Sequence, residues 1–140
     1  MRYLLLVSHG TLAPALHGVL KMLVGPREDV ISVSLEDGMD TQTYAANVEK
    51  AIAPVGDGDV VFCFGDIIGG SPLTNALNVL AERDLLARTT AFGGMNLPMV
   101  LTAVLESKLD DASLEAKVLA EGQAAVKRLD LSAGDDEEDV

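Results

Sequence analysis

The chain has 140 residues, of which 49% are hydrophobic, and a formal net charge of −12. This length corresponds to one globular domain, which at this size buries about 70% of its unfolded surface and needs neither a disulfide nor a metal to fold. The single cysteine, Cys63, excludes a disulfide within the chain and argues against a cysteine-built zinc site. The negative charge argues against binding to nucleic acid, whose phosphates it would repel, and favours a partner with a positive contact face.

Short apolar runs and amphipathic segments alternate along the chain. In chain order, the pattern predicts a strand at 2–8, a helix at 11–24, a strand at 30–35, a helix at 41–53 capped by Asp40, a strand at 59–64, a helix at 71–83, a strand at 89–92, a helix at 97–105 and a helix at 112–123. Residues 125–131 are compatible with helix or strand, and we expect the acidic tail at 132–140 to be disordered. The chain is thus divided into a domain at 1–131 and a short tail.

The alternation of strands and helices indicates parallel strands joined by right-handed crossovers. The predicted fold class is α/β, with a doubly wound, mainly parallel sheet. The first and third strands are the most apolar, which places them at the centre and gives the strand order 2-1-3-4. In such sheets ligands bind beyond the carboxyl ends of the strands, at the switch point between strands 1 and 3.

The apolar runs predict buried strands rather than membrane spans. The longest, residues 3–7 and 60–64, are far shorter than the ~20 residues needed to cross a bilayer. The first residues carry no signal-peptide pattern. We therefore expect a cytoplasmic protein.

Two polar side chains follow the central strands of the predicted sheet. His9 comes at the end of strand 1 and Asp66 directly after strand 3, so both are expected at the same edge. A carboxylate that accepts the proton of one imidazole nitrogen fixes the tautomer and leaves the other nitrogen as a nucleophile. A lone histidine after a buried strand is more often a packing residue, but the convergence of both groups on one edge favours a catalytic pair. His17, in the middle of a helix, lacks that support.

Glycines and helix starts surround this pair. The unpaired backbone N–H groups of a helix start bind phosphoryl anions well. No lysine or arginine occurs in these loops, so the charge of a phosphoryl group would be met by backbone N–H groups and hydroxyls. The predicted phosphoryl-binding residues are Gly10, Thr11, Gly69, Gly70 and Ser71.

The loops at the same edge are unusually apolar. An apolar ring around a polar centre is typical of a surface that docks another protein. The predicted docking residues are Leu12, Ile67, Ile68, Met95, Asn96, Leu97 and Pro98.

Three motifs in this order resemble the IIA domain of the mannose-class (mannose–fructose–sorbose) sugar phosphotransferase system (PTS), over nearly the full length of the chain. They are Leu5-Leu6-Val7-Ser8-His9-Gly10, Asp66 followed by Gly69-Gly70-Ser71-Pro72, and Asn96-Leu97-Pro98-Met99. The chain departs from the family at Ile67-Ile68, where relatives often carry a hydroxyl or an aromatic side chain.

The resemblance implies a phosphocarrier. His9 would accept a phosphoryl group from the phosphohistidine carrier HPr and pass it to an EIIB component, with Asp66 orienting the imidazole. No metal or organic cofactor is implied, because the transfer runs between protein nitrogens. The acidic tail replaces the linker that joins many relatives to a fused EIIB, so EIIB is expected to be a separate protein.

The resemblance also implies an assembly. Family members are typically homodimers that exchange a C-terminal strand, which would make residues 125–131 an edge strand. Association with the membrane components EIIC and EIID would be indirect and peripheral, through EIIB.

Three alternatives remain open at this stage. One is the phosphohistidine subunit of a dihydroxyacetone kinase, which resembles the same fold; another is a regulatory module in which phosphorylation of His9 changes the choice of partner. A third is a tetrapyrrole metal chelatase, since Leu6-Val7-Ser8-His9-Gly10-Thr11 looks like the opening of that family. A chelatase would need a second ligand histidine in the later half of the chain, and no histidine follows His17.

Overall fold

The computed structural model describes residues 1–132, and the remainder of the predicted acidic tail lies outside the described residues. Strands and helices alternate in the predicted order, with a short 3-10 turn, Leu86–Arg88, before the last strand. The elements are β1 (Arg2–His9), α1 (Leu12–Val24), β2 (Val30–Leu35), α2 (Thr41–Ala51), β3 (Val60–Gly65), α3 (Ser71–Glu82), β4 (Thr89–Phe92), α4 (Leu97–Leu105) and α5 (Asp111–Ala124).

The four strands form one parallel sheet in the order β2-β1-β3-β4, which confirms the predicted topology. Leu5 of β1 lies opposite Ile31 on one side and Cys63 on the other. Helices cover both faces of a parallel sheet, so its central strands are apolar on both sides rather than alternating with polar residues. This is why the continuous apolar runs correctly identified β1 and β3 as central.

Successive residues of β1 enter two separate cores. Leu5 and Val7 pack against α2 and α3, whereas Leu4 and Leu6 pack against α1, α4 and α5. The side chains of a strand point alternately to its two faces, so one strand anchors both layers of helices. The two layers hold the carboxyl ends of β1 and β3 side by side.

Two helix boundaries are informative. Helix α3 begins at Ser71, and Gly70 rather than the serine is in the N-cap position. Residues 126–130 form neither a helix nor a strand, and the side chains of Val126 and Leu131 are exposed. Within residues 1–132, no helix is both long and apolar enough to cross a membrane.

Candidate functional site

His9 and Asp66 meet at the carboxyl edge of the sheet, as the sequence predicted. The ring nitrogen Nδ1 of His9 lies 2.8 Å from Oδ2 of Asp66. The same carboxylate oxygen accepts a hydrogen bond from the backbone N–H of His9 at 3.0 Å, and Oδ1 accepts one from the N–H of Ile67 at 3.0 Å. Asp66 therefore fixes the imidazole relative to the backbone of both central strands.

The two side chains differ in exposure. The Asp66 side chain is 10% exposed and that of His9 is 48% exposed. Burial alone would raise the pKa of the Asp66 carboxyl, but the hydrogen bonds from His9 and Ile67 outweigh burial and lower it. An ionised Asp66 can only accept a hydrogen bond, so the ring proton is assigned to Nδ1 and the free electron pair to Nε2. No hydrogen bond of Nε2 is found within residues 1–132.

The start of α3 lies directly against this imidazole. A Cβ added to Gly70 would stand 3.3 Å from Cε1 of His9, so the absence of a side chain lets the helix approach the ring. Gly70 itself is tied into a turn by its N–H, which donates to the carbonyl of Ile67, and Gly69 has a φ of +79° there. The first N–H groups of α3 have no acceptor within the helix, and they carry partial positive charge.

The other predicted phosphoryl-binding residues lie in the loops that follow β1 and β3. Gly10 follows His9 and donates its N–H to the carbonyl of Leu35. Thr11 is the N-cap residue of α1 and is exposed, and its hydroxyl forms no cap hydrogen bond. The hydroxyl of Ser71 accepts a hydrogen bond of 2.9 Å from the side chain of Asn75.

Two buried hydroxyls that support the site were not identified from the sequence. Ser8 is fully buried, and its Oγ accepts the N–H of Ala13 at 2.7 Å, which caps α1 in place of Thr11. Tyr44 donates its hydroxyl to the carbonyl of Pro72 at 2.7 Å, which anchors the first turn of α3 to α2. Burial raises the pKa of Tyr44, so its proton stays available for this bond. A serine ending an otherwise apolar strand just before a helix was the available signal for Ser8.

The predicted docking residues divide into exposed and packed groups. Ile67 is 57% exposed, Ile68 79% and Leu12 44%, so these three present apolar surface beside His9. Met95 is buried in the core with residues of α4, so it belongs to that core rather than to a docking surface. Pro98 is half-buried, and Leu97 packs partly against the same core.

Asn96 makes contacts that its assignment to a docking surface did not anticipate. Its Oδ1 accepts the N–H of Met99 at 3.0 Å, which makes Asn96 the N-cap of α4. Its Nδ2 donates to the carbonyl of Gly122 in α5 at 3.0 Å. Both ends of the amide are thus bound within the chain.

His17 and Cys63 lie away from the pair. His17 is on α1 and its Nδ1 is 2.8 Å from the hydroxyl of Ser32; burial, with a smaller contribution from Lys21, lowers its pKa. Cys63 is buried in β3, and burial raises the pKa of its thiol to about 12. Within residues 1–132 no group of three or more His, Cys, Asp or Glu side chains could hold a metal ion.

Solved structures share this fold over almost the whole chain. The mannose/sorbose-specific IIA subunit of the phosphotransferase system from Enterococcus faecalis is 25% identical, with a TM-score of 0.80 and coverage of 93% of this chain and 96% of that one. The phosphotransferase system component EIIA from Streptococcus agalactiae is 21% identical, with a TM-score of 0.78 and coverage of 95% and 99%. The PTS IIA protein associated with the fucose utilization operon of Streptococcus pneumoniae is 22% identical, with a TM-score of 0.75 and coverage of 91% and 92%.

The family comparison is decisive for identity. No curated protein matches the chain at a significant level. The model of the EIIA-man family, described as the PTS system fructose IIA component, matches residues 3–120, which include both His9 and Asp66. The chain therefore belongs to the EIIA-man family and is an EIIA component of a sugar phosphotransferase system.

Proposed function

We propose that the chain carries a phosphoryl group on Nε2 of His9, taken from phosphorylated HPr and passed to an EIIB component. The observation that carries this proposal is the 2.8 Å contact between Nδ1 of His9 and the ionised Asp66 at an exposed edge of the sheet. The contact leaves one nucleophilic nitrogen and directs it away from the carboxylate. Membership of the EIIA-man family supports the donor and the acceptor.

The transfer balances without a cofactor. The lone pair of Nε2 attacks the phosphorus, a P–N bond to His9 forms, and the P–N bond of the donor's phosphohistidine breaks. The proton on Nδ1 stays between His9 and Asp66, where the carboxylate balances the positive charge that the phosphorylated ring acquires. The second step reverses the first, with a nucleophilic side chain of EIIB as the acceptor.

The negative charge of the phosphoryl oxygens is met by the backbone in this proposal. Helix α1 begins shortly after His9 in the chain, and the N-terminus of α3 lies beside His9 in space. Neither helix has an acidic residue in its first turn. The arginines whose side chains form hydrogen bonds within residues 1–132 do so elsewhere: Arg2 contacts Asp111, Arg27 contacts Asp29, Arg83 contacts the carbonyl of Val55, and Arg88 contacts the carbonyl of Asp59. A cation at the transferring group would therefore come from the partner.

Leu12, Ile67 and Ile68 form the apolar surface on which we expect HPr and EIIB to dock in turn. In this scheme the protein is cytoplasmic and reaches the membrane components EIIC and EIID only through EIIB. A dihydroxyacetone kinase subunit would share the first step but transfer to a different acceptor. A regulatory module would keep the phosphoryl group instead of passing it on.

We also propose a homodimer that exchanges the segment after α5. Strand β4 is the last strand of the sheet within residues 1–132, so one side of it has no neighbouring strand there. The segment that follows α5 carries three exposed apolar side chains, Val126, Leu129 and Leu131. Pairing of this segment with β4 of a second copy would cover those side chains and the open edge. Light scattering should give twice the chain mass, falling to one chain mass when residues 126–140 are deleted.

Intact-mass spectrometry tests the central proposal. The protein is incubated with phosphoenolpyruvate, enzyme I and HPr, and its mass should rise by one acid-labile phosphoryl group. His9→Ala should abolish the gain, whereas the control His17→Ala should keep it. Addition of EIIB should then discharge the protein. A phosphorylated His9→Ala variant would refute the proposal, and a native protein that charges but never discharges to EIIB would favour the regulatory module.

A further inference from the structure

The side chain of Asn96 joins the ends of two helices. Its Oδ1 caps the start of α4 through the N–H of Met99, and its Nδ2 donates to the carbonyl of Gly122 near the end of α5. Helix α5 ends at Ala124, so this carbonyl is one of the last four, which have no N–H donor within the helix. One amide thus satisfies an unpaired N–H of one helix and an unpaired carbonyl of another.

Helix α5 is fitted closely to this amide. A Cβ at Gly122 would overlap the side chain of Met99, so only a residue without a side chain lets α5 come this near to α4. Such an approach fixes the distance between Asn96 and α5 more tightly than the hydrogen bond alone. The bond is therefore part of a defined packing arrangement between the two helices.

The loop that carries Asn96 also supports the turn beside His9. The N–H of Met95 donates to the carbonyl of Gly65 at 3.0 Å, and Gly65 immediately precedes Asp66. Within the same loop, the backbone of Gly93 lies directly under the side chain of Ile68, where a Cβ would overlap it.

The same contacts connect the 93–96 loop to the imidazole of His9. Ile68 belongs to the turn closed by the N–H of Gly70 and the carbonyl of Ile67. Gly70 in that turn lies against Cε1 of His9. A displacement of the 93–96 loop would therefore change how Gly70 packs against Cε1 of His9.

We propose that Asn96 is a positioning residue of the phosphoryl-transfer site, which holds the 93–96 loop between α5 and the turn that packs on His9. The inference rests on the proposed function, since it concerns transfer at His9. Asn96 does not touch the reacting atoms; it acts through Ile68 and Gly70. The bond to Gly122 also makes the end of α5 part of the mechanical support of the site.

Asn96→Asp separates the two bonds of the amide. Aspartate still accepts from the N–H of Met99, so α4 keeps its cap. It cannot donate to the carbonyl of Gly122, and the negative end of the α5 dipole repels it. The control is Asp110→Ala, which removes the cap at the other end of α5, where Oδ1 accepts the N–H of Ser113 at 2.8 Å. Each variant removes a hydrogen bond at one end of α5, but only Asn96→Asp removes the bond that joins the 93–96 loop to this helix.

Two measurements are compared. The chain has two histidines, so its NMR spectrum contains two Cε1–H signals, and His17 serves as the internal reference. Asn96→Asp should shift the His9 signal and leave that of His17 in place, and it should slow phosphoryl transfer from HPr by about 3- to 10-fold, as a displacement of part of an ångström would. Asp110→Ala should leave both the His9 signal and the transfer rate unchanged.

An unmoved His9 signal in Asn96→Asp, or an equal change in Asp110→Ala, would overturn the inference. Asn96→Ser, whose hydroxyl can accept from Met99 but is too short to reach Gly122, replaces the aspartate variant if that one does not fold. The NMR comparison needs no phosphoryl donor, so it still decides about Asn96 if the native protein fails to accept a phosphoryl group. In that case the proposed function fails separately.

Discussion

Replacement of Asp66 by asparagine tests the role of its charge with little change of shape. Phosphorylation of Nε2 leaves a positive imidazole whose Nδ1 lies 2.8 Å from the carboxylate. At that separation the attraction is about 1.5 kcal/mol at the dielectric constant of water and about 6 kcal/mol at an effective value of 20. The imidazole is 48% exposed, so a value towards the lower end applies. We expect a loss of about 2–3 kcal/mol in the transition state, or about 30- to 150-fold in rate.

Rapid-quench measurement of phosphoryl transfer from HPr gives this rate directly. Asp110→Asn is the matched control, because it removes one negative charge and keeps the ability to cap α5. It should transfer at the native rate. A rate for Asp66→Asn within about threefold of native would refute the reasoning, since hydrogen bonds to a charged group are generally worth more than that.

Three further outcomes are expected. Gly70→Ala should slow transfer by about 3- to 10-fold, because the added methyl group would stand 3.2 Å from the carbonyl oxygen of Ile67 and 3.3 Å from Cε1 of His9, so the turn or the ring must shift; Gly18→Ala, where a Cβ meets nothing within 4 Å, should transfer normally. Tyr44→Phe should lower the free energy of unfolding by about 1 kcal/mol in urea titrations, through loss of its bond to a carbonyl of α3, and an unchanged midpoint would contradict this role. Cys63 should react with a thiol reagent more than about 10³-fold slower than free cysteine until urea is added, because it is buried and its thiol pKa is raised; rapid labelling of the native protein would show that β3 opens locally.

The strand order and the position of the site could be predicted from the sequence because both depend on local patterns. The apolar runs around Leu5 and Cys63 are what a strand covered on both faces requires, and they determined the strand order. Once β1 and β3 were neighbours, His9 and Asp66 had to emerge at the same edge. Strand order thus predicted that the two side chains are neighbours, and the structure adds their 2.8 Å hydrogen bond.

Contacts between distant segments were not predictable in this way. The bond between Asn96 and Gly122 joins residues 26 apart in the sequence, and neither residue signals the other. The burial of Met95 depends on how α4 packs, which a motif cannot show. The segment after α5 was ambiguous in sequence, and the exchanged strand implied for it remains a prediction, since the described residues there form no strand.

The carboxylate of Asp66 does more than orient a ring. Because it accepts the backbone N–H of His9 as well, it fastens the last residue of one central strand to the first residue after the other. In the proposed function the same carboxylate also orients the imidazole for phosphoryl transfer, so loss of the side chain would affect both the transfer and this attachment. A residue at this position that cannot accept hydrogen bonds is therefore expected both to slow the proposed transfer and to loosen the carboxyl edge of the sheet beside His9.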